Sequence, residues 1–149
     1  MQNVYILILL AVIAGIVIPV QGALNTRLAG ALDSPILSAF LSFAVGTAAL
    51  FVYVILSGTP LGNLSNIKNA PPSAWTGGIF GAFFVASTIM LIPRLGVAVT
   101  FGIIVAGQMI FSVVIDHFGL LDSPVRPVSL ARIGGIILIT VGAIVIRRY

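Results

Sequence analysis

Gln108, Ser112 and Asp116 stand four residues apart inside an otherwise oily run, "VAGQMIFSVVIDHFGLL". On a helix that spacing puts them in one slowly drifting stripe. An amide and a hydroxyl can hold a polar solute by hydrogen bonds without any charge. Asp116 and His117, with Arg132 further along, could carry a proton or form a charged gate. Gln21 and Asn25 repeat the four-residue spacing in "PVQGALNTR". Polar groups at such depth normally face a bundle interior or a water cavity, so each is a candidate for binding or coupling. Side chains of neighbouring residues on a helix point about 100° apart, so Asp116 and His117 form no ready catalytic dyad. His117 is the sole histidine, cysteine is absent, and no metal-ligand spacing occurs. Neither a metal nor a cofactor is expected.

The rest of the chain must put these groups in place. Only 7% of the 149 residues are charged and 60% are hydrophobic, whereas a soluble domain carries about 25% charged residues. The chain reads as an all-α membrane protein with no room for a soluble catalytic module. The net charge of +4 is scattered over Lys and Arg residues with no nucleic-acid patch, so the partners expected are lipid and a small solute. Five spans are predicted in one transmembrane domain: Val4–Leu24, Pro35–Leu56, Ala74–Ile92, Gly96–His117 and Val128–Ile146. Each approaches the roughly 20 residues that cross a hydrocarbon core, and continuous apolar runs exclude the alternating segments of a barrel. Pro19 frees a carbonyl one turn earlier in the first span, a potential kink.

The connections follow from composition. "NTRLAGALDSP" reads as the first link, with Ser34-Pro35 as a helix start. The segment Ser57–Ser73 is the longest loop, "PRLG" a tight reversal, and "HFGLLDSPVRP" the last connection. Trp75, Tyr5, Tyr53 and Tyr149 suit the interfacial aromatic belts. The first span lacks a basic leader and exceeds the usual signal-peptide core, so it reads as a true span. Small residues recur at helix spacing, as Gly77/Gly81, Ser38/Ser42/Gly46 and Gly135/Gly142. They read first as ordinary helix packing and, more sharply, as a dimer seam.

"PVQGALNTRLA", "GQMIFSVVIDHFGLL" and "RIGGIILITVGAIVI" together resemble the YdcZ-like inner-membrane exporters of bacteria. That family is a five-helix branch of the drug/metabolite transporter superfamily. The resemblance covers essentially the whole chain. It implies a multi-pass inner-membrane location and half-size subunits, some of which pair antiparallel. The four-helix small multidrug resistance transporters of the same superfamily use a glutamate in their first helix. This chain has no glutamate, so that proton-exchange chemistry does not carry over.

The expectation is a transporter subunit working as a dimer by alternating access. Gln21, Asn25, Gln108 and Ser112 are the candidate substrate-binding residues. Asp116, His117 and Arg132 are the candidates for proton coupling or gating. A membrane-embedded enzyme, and a structural or channel-forming subunit, are the alternatives. Orientation is barely specified. An outside N-terminus gathers Arg27, Arg94, Arg147 and Arg148 in the cytoplasm, and an inside one gathers Lys68, Arg126 and Arg132, so the bias is one charge. An inverted copy of the same chain is therefore the simplest partner, with a parallel homodimer or an inverted homologue as alternatives. Single cysteines at either terminus of this cysteine-free chain should each label from both faces of the membrane. One-sided labelling of each would exclude the self-inverted pair.

Overall fold

The computed structural model describes residues 4–149. Among them there is no strand. Five long helices carry the chain: α1 (Val4–Leu32), α2 (Pro35–Leu56), α3 (Gly77–Leu95), α4 (Val97–Phe118) and α5 (Leu130–Arg148). All five are long and apolar enough to cross a membrane. At 1.5 Å per residue they run about 28–43 Å, against a hydrocarbon core of about 30 Å. The chain divides into two compact units, one ending at Pro93 and one beginning at Arg94.

In the first unit α1 and α2 form an antiparallel hairpin. The expected break after Leu24 does not occur, and α1 continues through Asn25, Thr26 and Arg27 to Leu32. The Thr26 hydroxyl donates to the Gly22 carbonyl at 2.8 Å, so this polar group is satisfied within the helix. The helix stops where Asp33 takes a left-handed conformation (φ 50°). Ser34 then caps α2, its side chain accepting from the Leu37 N–H at 3.2 Å, with Pro35 in the first turn. Ser38, wholly buried, donates to the Asn25 carbonyl at 2.7 Å and ties the hairpin across its seam. The core of this unit is Ala29, Ala39, Val85 and Ile89, with Phe84 and Ala86 around it. Alanines on α1 and α2 thus receive the larger side chains of α3.

The segment between α2 and α3 is wound into short 3-10 turns, Leu61–Asn69 and Pro72–Thr76. Trp75 lies in the second of these, so α3 starts at Gly77, later than the expected Ala74. Pro93, expected to end the span, sits in the last turn of α3. The backbone leaves the helix only at Gly96.

The second unit is the α4–α5 pair. A Cβ on Gly102 would lie 3.3 Å from the Ala143 Cβ, so the two helices meet where glycine removes the side chain. Ala106 and Phe101 are buried beside this point. Ser129 caps α5 by accepting from the Arg132 N–H, so the helix starts at Leu130, two residues later than expected, and Arg132 stands in its first turn. Gly102→Ile should force α4 and α5 apart and cost about 1–3 kcal/mol. Gly134→Ala should be neutral or slightly stabilising, because a Cβ there meets nothing. Thermal unfolding in detergent micelles distinguishes the two.

Candidate functional site

Each unit carries its own polar stripe. In the first, Asn25 is 7% exposed. The first span was expected to end at Leu24, just before it; instead α1 runs on past it to Leu32 and packs it against α2. Its side-chain Nδ2 is the buried side-chain nitrogen or oxygen left without a partner among the described residues. One turn back along α1, Gln21 is exposed and lines a groove of about 220 Å³ with Ser42, Phe43, Gly46, Thr47 and Leu50. The pairing follows the hairpin: Asn25 lies against Ser38, and one turn further on each helix Gln21 shares a groove with Ser42. Ser42 lies about 5 Å from the midpoint of α2, so this groove is at mid-span depth.

In the second unit, Gln108 is at the centre of α4. Gln108 and Ser112 are both exposed. No hydrogen bond within the described residues reaches either side chain, nor those of Gln21, Ser42 and Thr47. The contrast with other hydroxyls is sharp. Thr88 donates to Val85, Thr100 to the N-cap Gly96 and Thr140 to Ile136, each onto a carbonyl about one turn earlier and within 2.9 Å. Those hydroxyls are spent, whereas the stripe residues retain their full hydrogen-bonding capacity.

Asp116 and Arg132 are brought together. The Arg132 guanidinium donates to one carboxylate oxygen of Asp116 and, at 2.9 Å, to the Arg126 carbonyl. The Ser123 hydroxyl donates to the other carboxylate oxygen at 3.2 Å. The loop is also fastened by the backbone, with the Arg126 N–H on the Asp116 carbonyl at 2.8 Å. His117 joins through its Nδ1, which accepts from the Val128 N–H at 3.3 Å. Its ring and the Asp116 carboxylate thus serve the same loop without touching one another. Folding this loop back requires left-handed backbone at Gly119, Leu121 and Asp122. Gly119 suits it best, because a Cβ there would come within 2.7 Å of a Val125 methyl. The ion pair is about 30% exposed on each side, so it fastens the loop more by geometry than by Coulomb energy.

Asp116, His117 and Arg132 were grouped from the sequence as proton-coupling or gating candidates, and the structure joins Asp116 to Arg132 as an ion pair. Ser123 was not foreseen, because its role depends on the left-handed turn. Ser42 was visible only as part of a small-residue stripe, and Thr47 carried no signal. Both emerge once α2 is folded against α1 in the register set by Ser38.

The comparisons with known proteins agree with this architecture. A family model described as "Putative inner membrane exporter, YdcZ" matches residues 6–145. The chain is 29% identical over 137 residues to the "Inner membrane protein YdcZ" of Escherichia coli (strain K12), covering 91% of this chain and 90% of that one. No solved structure matches. With five membrane-length helices and a family match across nearly its whole length, the chain belongs to the YdcZ family of inner-membrane exporters.

Proposed function

We propose that the chain exports small polar solutes, uncharged or zwitterionic, by alternating access as a dimer with an inverted second copy. The observation that carries this reading is Gln108. Its amide stands at the centre of a 22-residue span, exposed and with no partner in the described chain. An amide left unpaired in hydrocarbon costs several kcal/mol, so it needs a second subunit, a water cavity or a solute. An inverted dimer would supply the second subunit and could enclose a water cavity that admits a solute. Its two-fold axis lies in the membrane plane, so mid-helix residues of both copies meet at one depth. Both Gln108 side chains, with Ser112 a turn away, would line a shared central cavity.

In such a dimer the two Asp116–Arg132 clusters lie near opposite membrane faces. That placement suits a gate on each side better than a central binding site. Opening the gate would mean releasing the loop that Asp116, Arg132 and His117 hold.

Gln108→Leu should cost about 1 kcal/mol or less of stability, while solute flux into proteoliposomes falls by on the order of tenfold or more. Equal loss of stability and flux would make the amide packing glue. Asp116→Asn should abolish gradient-driven flux and leave the dimer intact by cross-linking. Undiminished flux in that variant would remove the gate.

A further inference from the structure

The groove between α1 and α2 is chemically unlike the larger one beside it. The neighbouring groove, about 530 Å³ between α2 and α3, is lined only by apolar side chains, Phe40, Phe43 and Phe83 among them. The α1–α2 groove instead holds Gln21, Ser42 and Thr47. All three lack hydrogen-bond partners among the described residues. They come from two helices yet converge near the midpoint of α2, with the unpaired Asn25 amide one turn along α1. Ser and Thr side chains in a helix can bond back to a carbonyl one turn earlier, as Thr26, Thr100 and Thr140 do. Ser42 and Thr47 do not, so their hydroxyls are left to something in the groove.

We infer that this groove is a hydrated subsite for a small, uncharged solute rich in hydroxyl or amide groups. The inference deepens the transporter reading and rests on it. Gln21 offers two donors and an acceptor oxygen, and each hydroxyl offers one donor and two lone pairs. No ionisable side chain lines the groove, so nothing there compensates a full charge on the solute. The volume of about 220 Å³ equals about seven waters at roughly 30 Å³ each. A four-carbon polyol or a simple amide fits within it.

The test uses the full chain in liposomes, with Thr47→Cys as its single cysteine and a small charged methanethiosulfonate as the reagent. Val45→Cys, at nearly the same depth but outside the groove lining, is the reference. Thiolate forms only where water reaches, so Thr47→Cys should react on the order of tenfold faster than Val45→Cys. Ser42→Cys should do the same, which guards against misfolding of one variant. Erythritol, glycerol or acetamide should slow the reaction, and tetramethylammonium should not. Equal rates at positions 45, 42 and 47 would show a dry groove and overturn the inference. Protection by the cation, or by none of the three neutral probes, would overturn the ligand class. Labelling needs no transport, so the two readings fail separately. Lost flux with intact protection would count against the transporter reading, and intact flux with a dry groove would count against the subsite.

Discussion

Hydrocarbon tolerates no unpaired polar group, and that constraint organises this chain. The backbone meets it by helix formation. Most hydroxyls meet it by bonding to a nearby carbonyl, about one turn earlier for Thr26, Thr88, Thr100 and Thr140, or across the hairpin for Ser38. Against this background the side chains that remain unbonded are informative. Gln21, Ser42, Thr47, Ser87, Gln108 and Ser112 sit at depths where water is absent unless the protein admits it. Their positions mark polar capacity that no bond within the described residues uses.

The charged residues obey the same rule differently. Asp116 lies near the end of α4, where ionised groups are cheaper to keep. It is held by Arg132 and Ser123, and the loop backbone closes over it. The cluster combines side chains from two helices with a tight left-handed turn. The short connection between α4 and α5 is therefore a shaped element rather than slack chain.

The spans themselves were legible because twenty-residue apolar runs allow little else. Their ends were less so. Asn25, Thr26 and Arg27 look by composition like an exit from the membrane, yet α1 continues because Thr26 is satisfied within the helix and Asn25 packs against Ser38. Pro93 was read as a stop, but it lies in the last turn of α3. The stripes of Gln108, Ser112 and Asp116 and of Gln21 and Asn25 followed from four-residue spacing alone. Ser42, Thr47 and Ser123 did not, since their roles arise from hairpin register and backbone handedness, which a single sequence displays only once folded. The family resemblance was carried by the stripes and the glycine-rich fifth span, and the match over residues 6–145 agrees with it.

Phe43 lines both the polar groove between α1 and α2 and the apolar groove between α2 and α3. Its ring also rests against Gly81, where a Cβ would lie 3.4 Å from it, so α3 backs it closely on one side. The ring is a shared wall. An acyl chain lodged in the apolar groove presses on the same surface that bounds the polar one. If the polar groove takes a solute, the space open to it would be set partly by the thickness and saturation of the surrounding lipid, and the bilayer would take part in selectivity rather than act as a passive solvent.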